Sequence, residues 1–537
     1  MLDELFDIAY PIVSTISNLL KERCDSMATI VSSIGLNGME GYQVQVEVQL
    51  LPGIEGMSIV GLPNVSVMES KDRVMGALYA YDCEVPDKKI IINLSPAEEK
   101  KNSPIFDLAM AIGIMREAGD IKDPVPSDAA FLGVLSLDGS IKPVNGMLPA
   151  IIAAKKENVK ILYLPATIEI PITNIEGIEL RFVNTLQEVI ESFSGKHSAF
   201  SFVSSHSMET TEHKVATYER DFQDVNGLER AKRALEIAAA GGHHVLMVGP
   251  PGCGKSMLAE TLSSILPPLK QESQFEVMSL YQLSGIAKEN FHIPPFRDPH
   301  HSASAVSLIG GGAHPKPGEI SLAHQGILFL DEMGEFSKRT LDMLRQPMET
   351  GKVTITRAAS TVTYPSRFLL LAAMNPCPCG YFGSRHFYCT CTPKQITAYN
   401  NRVSGPIQDR MDIILHLETV PLDHESTKQN ETSHDIRARV SVAREQQYVR
   451  YGSEVYNGIV SNEQLSIAGQ LNDEQRRMMQ AWGSKHNWST RVQFKIIRLA
   501  RTISDLSESH EITNEALWEA VTMRRSQNIR MPKRVVT

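Results

Sequence analysis

Eight consecutive residues carry the clearest chemistry in this chain. Gly249-Pro250-Pro251-Gly252-Cys253-Gly254-Lys255-Ser256 fits the pattern GxxxxGK(S/T). In that pattern the glycines let backbone N–H groups converge on phosphate oxygens, the lysine reaches the β- and γ-phosphates, and the hydroxyl ligates Mg²⁺. Cys253 stands at a free position of the loop. A second set of residues suits hydrolysis: Asp331 and Glu332 directly follow Ile327-Leu-Phe-Leu330. The first carboxylate is placed to hold the Mg²⁺ shell and the second to polarise an attacking water. Asn375, after Phe368-Leu-Leu-Leu-Ala-Ala-Met374, is a third polar tip, suited to orient that water or to sense the γ-phosphate.

These side chains need elements to hold them. His244-Val-Leu-Met-Val248 reads as a buried parallel strand, and Met257 to Leu266 has the spacing of an amphipathic helix, so strand, glycine loop and helix follow in order. The carboxylates and Asn375 likewise stand at the C-terminal ends of apolar runs, where ligands bind in open α/β sheets. The fold class expected is therefore α/β with a P-loop nucleotide-binding core.

At 537 residues the chain is long enough for several cores, and its net charge of −9 argues against a uniformly basic coat, so any nucleic-acid site must be local. No apolar run reaches membrane-spanning length. Ile8 to Leu20 is moderately apolar, but Asp3, Glu4 and Asp7 precede it rather than lysines, so a cytoplasmic location is expected. Residues 1–26 read as an extension, either an appended helix or an upstream start.

Residues 27–195 form an α/β segment in which Tyr42 to Leu50 alternates with period two, Lys89 to Leu94 is a further strand, and Phe106 to Ala118 and Gly146 to Lys156 are helical. Residues 196–219 are a Ser-, Thr- and His-rich linker, 220–422 hold the nucleotide-binding core, and 423–537 show helical patterns only. Four of the seven cysteines crowd into Cys377-Pro-Cys379 and Cys389-Thr-Cys391. The chain between the pairs is long enough to fold back and present four thiolates to Zn²⁺; His386 could replace one of them, and the alternative is four reduced thiols in a loop. The scattered Cys24, Cys83 and Cys253 suit a reducing compartment. Arg476, Arg477, Lys485, Lys495, Arg498 and Arg501 make the C-terminal region basic, as do Arg524, Arg525, Arg530, Lys533 and Arg534 at its end. Such charges can bind phosphates without reading sequence.

Longer strings carry a family resemblance: Phe296-Arg-Asp-Pro-His-His-Ser-Ala-Ser304, Gly310-Gly-Gly, Pro317-Gly-Glu-Ile-Ser-Leu-Ala-His324, Asn375-Pro-Cys-Pro-Cys-Gly380 and Ser404-Gly-Pro-Ile-Gln-Asp-Arg-Met-Asp412. With them the chain, from Met27 on, resembles the ComM/YifB family of magnesium-chelatase-like AAA+ ATPases. The resemblance implies ATP and Mg²⁺ as cofactors and a homo-hexameric ring in which each ATP site is completed by a neighbour. It also implies Arg410 as the arginine finger, Arg491 as the lid's sensor arginine, and a C-terminal helical lid. Glu349-Thr-Gly-Lys-Val-Thr-Ile-Thr-Arg357 reads as half of a hairpin, which in similar motors enters the pore, where Lys352 and Arg357 would meet a phosphate backbone.

Residues 27–195 are similar to the proteolytic domain of Lon-type proteases, with a departure. Ile105 stands where that family's serine belongs and Leu148 where its lysine belongs. Peptide hydrolysis is not expected without a nucleophile and its base, although Ser103 and Lys142 remain nearby. The function implied is a DNA-acting motor, a helicase or branch-migration activity in transformation or recombination. A chelatase-type ATPase that remodels a protein partner is the alternative, and an ATP-gated scaffold a third.

Overall fold

The computed structural model describes residues 28–83, 88–167, 175, 177–193, 218, 220–312, 315–357, 361–384, 387–419 and 430–524. The extension at 1–26, nearly all of the 196–219 linker, His386 and the tail residues Arg525, Arg530, Lys533 and Arg534 lie outside the described residues. The chain divides into two compact units, Met1–Glu212 and His213–Thr537.

The first unit is built on a seven-stranded mixed sheet in the order Gly56–Val60, Lys89–Ser95, Glu40–Leu51, Thr29–Asn37, Ala129–Phe131, Ile161–Pro165, Glu179–Val183. Period-two alternation places Val44, Val46 and Val48 in the core, each contributing about 1.5 kcal/mol or more by leaving water. The helix Asp107–Ala118 lies across Thr29–Asn37 and Glu40–Leu51. Gly113 allows that approach, since a Cβ there would come within 2.5 Å of Val48 Cγ2. Ile105 and Leu148 are both buried in this unit. Ser103 and Lys142 make no hydrogen bond to one another.

The second unit holds a five-stranded, all-parallel sheet in the order Phe296–Arg297, Ile327–Leu330, Leu369–Met374, Val245–Val248, Ile413–His416. The three inner strands, Ile327–Leu330, Leu369–Met374 and Val245–Val248, are continuous apolar runs, as expected where helices cover both faces of a parallel sheet. Five helices follow: Ser433–Tyr451, Asn462–Ala468, Asp473–His486, Thr490–Leu506 and Asn514–Arg524. Four of them start on side-chain caps, Thr432, Ser461, Asn472 and Ser489, each accepting a backbone N–H of the first turn and worth about 1 kcal/mol. Their apolar faces share one core with the sheet, Ile436, Val440, Ile496 and Leu499 packing in the same cluster as Val245, Ile327 and Leu371. No helix among the described residues is long and apolar enough to cross a membrane.

Candidate functional site

Register brings the polar strand tips together. Val248 is paired with Met374 and Leu330 with Ala372, so the P-loop, Asn375 and the Asp331-Glu332 pair emerge side by side at one end of the sheet. Gly249 must be glycine, because a Cβ would come within 2.7 Å of Cys253 Sγ and 2.9 Å of the Leu417 carbonyl oxygen. Gly252 and Gly254 adopt φ of 76° and 88°, left-handed values that turn the backbone N–H groups into a cradle. The helix after the loop is Lys255–Leu262 and passes through a 3₁₀ turn at Ser263–Ile265, starting earlier than its hydrophobic spacing indicates and ending before Pro267-Pro268. Its N-cap, Gly254, offers no side-chain acceptor, which leaves the first-turn N–H groups open to an anion.

Lys255 Nζ donates to the Gly249 and Pro250 carbonyls at 2.8 and 2.9 Å and to Asn375 Oδ1 at 3.2 Å. Its charge is met by neutral acceptors and not by a carboxylate. Ser256 Oγ donates to Asp331 Oδ2 at 3.1 Å, which joins the hydroxyl and the carboxylate expected to share Mg²⁺. Around them the Asp298 carboxyl is held above its usual range by partial burial first and then by the charges of Asp331 and Glu260. A divalent cation relieves this crowding of negative charge, so the donor set fits Mg²⁺ and the glycine cradle with its lysine fits a triphosphate.

Glu332 sits at φ 48°, ψ 44°, a left-handed conformation costing a non-glycine residue about 1 kcal/mol. Its N–H donates to Asp331 Oδ1 at 2.8 Å, and its Oε2 lies 3.3 Å from His301 Nδ1. Its side chain is 53% exposed, so water can reach it. Asp298 and His301 are site residues that motif reading missed. Both lie just after the edge strand Phe296–Arg297, in one of the strings that carried the family resemblance, and that strand's tip was the overlooked signal.

Arg410 and Arg491 converge on one carboxylate. Arg410 Nη2 is 2.5 Å and Arg491 Nη2 2.7 Å from Glu349 Oε1, and the Arg491 hydrogen bond leads in holding Glu349 below the usual carboxylate range. The other partner of Arg410 is the Pro406 carbonyl, at 2.6 Å, and its Nε is buried with no acceptor. Neither arginine has a hydrogen bond or ion pair to the P-loop among the described residues. Behind them the helix Thr490–Leu506 grips the same segment, Lys495 Nζ donating to the Arg410 carbonyl at 2.6 Å and to Asp412 Oδ1 at 2.7 Å. Arg524 also donates to the Met411 carbonyl.

Of the C-terminal basic residues noted in the sequence, some are engaged inside the fold and some are exposed. Lys495 is bound to Asp412, Arg498 donates to the Gly458 carbonyl and Asn462, and Arg501 is buried against Asp505. Their charges face inward because the helix Thr490–Leu506 packs among Glu229–Gly241, Ser433–Tyr451 and Asn514–Arg524. Arg476, Arg477 and Lys485 remain exposed. The expected hairpin pairs Lys352–Thr356 with Thr361–Pro365, Val353, Ile355, Val362 and Tyr364 turning inward and Lys352 and Arg357 outward. The four clustered cysteines are brought together, their Sγ atoms all within 4.8 Å of one another.

A parallel sheet that presents a P-loop, a carboxylate pair and an asparagine on three neighbouring strand tips, with a helical lid sharing its core, is that of an AAA+ ATPase. Comparison with known proteins narrows the class. Residues 221–425 match the family described as magnesium chelatase, subunit ChlI, residues 46–168 match subunit ChlI of Mg-chelatase, and residues 430–524 match its C-terminal region. The uncharacterized protein YifB of Escherichia coli is 36% identical over 92% of this chain and 97% of its own length. The competence protein ComM of Haemophilus influenzae is 36% identical over 93% and 97%. Lon protease 2 of Bacillus subtilis is 30% identical over 25% of this chain and 26% of its own. Similarity at this level along nearly the whole chain means that the protein belongs to the ComM/YifB family of magnesium-chelatase-like ATPases.

Proposed function

We propose that the chain is the subunit of a homo-hexameric ring that hydrolyses ATP to move on DNA, as a helicase or branch-migration motor in transformation or recombination. What carries the hydrolytic part is the convergence of Lys255, Ser256, Asp331 and Asn375, with Glu332 beside them, on one end of the sheet. The bound nucleotide supplies the phosphoanhydride and Mg²⁺ the counter-charge. Gly249, Pro250, Pro251, Gly252, Cys253 and Gly254 shape the cradle, Lys255 would neutralise phosphate charge, and Ser256 and Asp331 would hold the cation. Glu332 takes the proton of an attacking water and Asn375 orients that water. Arg410 acts on a neighbour's site and Arg491 couples the lid to it, so both leave Glu349 when the ring assembles. Cys377, Cys379, Cys389 and Cys391 would hold Zn²⁺ as a structural clip and not as a catalyst.

Support for DNA as the track comes from the full-length similarity to a competence protein and from the outward Lys352 and Arg357 on the hairpin. The chelatase-type alternative has weaker support. The magnesium-chelatase 67 kDa subunit of Chlorobaculum parvum is 24% identical over 56% of this chain and 42% of its own length. ATP turnover measured with and without single-stranded, duplex and four-way-junction DNA tests the reading. Stimulation by at least one of them is expected, and turnover indifferent to all three at low salt would overturn the DNA motor while leaving the ATPase.

A further inference from the structure

The segment that follows Asn375 brings four free thiols together. Cys377 Sγ lies 3.3 Å from Cys379 Sγ and 3.7 Å from Cys389 Sγ, Cys379 and Cys389 are 3.5 Å apart, and Cys391 completes a set within 4.8 Å. Four thiolates about 2.3 Å from one tetrahedral Zn²⁺ stand about 3.8 Å from each other, so these sulfurs already have the spacing of a ligand set. The segment also supplies outer support of the kind thiolate ligands use, the Phe382 N–H donating to Cys377 Sγ at 3.3 Å. Soft sulfur donors select Zn²⁺, whereas the hydroxyl and carboxylate oxygens of Ser256 and Asp331 suit Mg²⁺, so one subunit can hold both ions without exchange.

Where the segment sits gives the cluster a task. Gly380, between the two halves of the ligand set, has φ 84° and lies against the P-loop, where a Cβ would come within 2.6 Å of Pro251 Cδ. Cys377 is also only two residues from Asn375, whose side chain accepts from Lys255. The cluster therefore reaches the phosphate cradle twice, through the backbone to Asn375 and through the packing of Gly380 on Pro251.

We propose that Cys377, Cys379, Cys389 and Cys391 bind one Zn²⁺ through four thiolates, and that the ion is a latch that keeps Gly380 seated on Pro251 and the phosphate loop in its binding shape. Binding of the metal releases the thiol protons to solvent. The latch rests on the ATP-site reading above; the zinc site does not. The cysteines are positioning residues, acting on nucleotide through Gly380 and Pro251.

Elemental analysis of the full chain purified in reductant without chelator is expected to give one zinc per subunit. Exchange for Co²⁺ is expected to give near-ultraviolet thiolate charge-transfer bands. Cys389→Ser/Cys391→Ser is expected to lose the metal and bind a fluorescent ATP analogue about tenfold more weakly. Gly380→Ala is expected to keep zinc and also to bind the analogue more weakly, because its methyl and the left-handed backbone at that position push the segment off Pro251 while all four thiols remain. Wild-type chain stripped with a thiol-competing chelator and reloaded with Zn²⁺ gives the same comparison if the double variant misfolds. A chain that carries no zinc as purified or after incubation with Zn²⁺ would overturn the metal site. Zinc lost with nucleotide affinity unchanged would overturn the latch alone. Zinc bound in a wild-type chain that binds no nucleotide would overturn the ATP reading and the latch, and leave the metal site standing.

Discussion

Glu332 is the residue on which hydrolysis turns in the proposed scheme, and its surroundings say how it is held. A left-handed backbone places its carboxylate beside His301 and leaves it half exposed, while Asp331 is tied to Ser256. The two neighbouring acids therefore have separate tasks. Glu332→Gln is expected to lower turnover by about 100-fold or more, the usual weight of a general base, while nucleotide affinity stays within about twofold. Steady-state turnover and analogue titration on one preparation check both halves. Lys255→Ala is expected to remove measurable analogue binding instead. The pattern around Lys255 and the acids was legible in the chain because phosphate binding constrains backbone conformation over a few consecutive residues. His301 was not, since its value comes from a strand that ends beside Asp331 and not from its neighbours in sequence.

At the scale of elements, the joint between sheet and lid is a buried charge network. Asp412 accepts from Lys495 of the lid helix and from the His244 backbone N–H; burial pushes its carboxyl up, but Lys495 first and the neighbouring His243 next hold it well below the usual range. Lys495→Met leaves that carboxylate buried without its partner, a loss of about 3–5 kcal/mol. It is expected to lower the urea midpoint followed by tryptophan fluorescence, because Trp482, Trp488 and Trp518, the three tryptophans of the chain, all lie in the lid. The same joint carries a pH dependence. His244 is buried, its Nδ1 accepts from the Leu370 N–H at 3.0 Å, and burial lowers its pKa to about 4. In the unfolded chain the ring takes its proton near 6.5, so the folded state binds fewer protons between the two values. Stability from this group is complete above about pH 6.5 and is lost as pH falls toward 4, by about 3 kcal/mol in all. Thermal unfolding across that window should show the loss, and His244→Asn should flatten it.

For the molecule as a whole, the proposed ring requires Arg410 to act on a site other than its own. Within one chain Arg410 and Arg491 both rest on Glu349, and their side-chain hydrogen bonds and ion pairs go to Glu349 and the Pro406 carbonyl. Arg410→Ala and Glu332→Gln are each expected to be inactive alone. Mixed in equal amounts they are expected to recover about a quarter of wild-type turnover, since an intact Glu332 then meets a neighbour's intact Arg410 at that fraction of interfaces. Turnover assays of the mixture against each variant decide it, and a mixture as inactive as its components would place both residues in one subunit's site.

The chain by itself determined the chemistry and the elements that carry it. Glycines at the P-loop, apolar runs ending in Asp331 and Asn375, and the alternation of Lys352 to Thr356 are local signals, because backbone conformation and strand burial act over a few residues. Tertiary structure alone decided which distant charges meet. Glu349 became the seat of two arginines, Lys495 and Arg501 turned inward although their sequence context matches that of exposed basic residues, and Gly380 came to lie on Pro251. Charge on a helix reads alike whether it faces water or a buried acid, and only the packing of that helix among its neighbours separates the two.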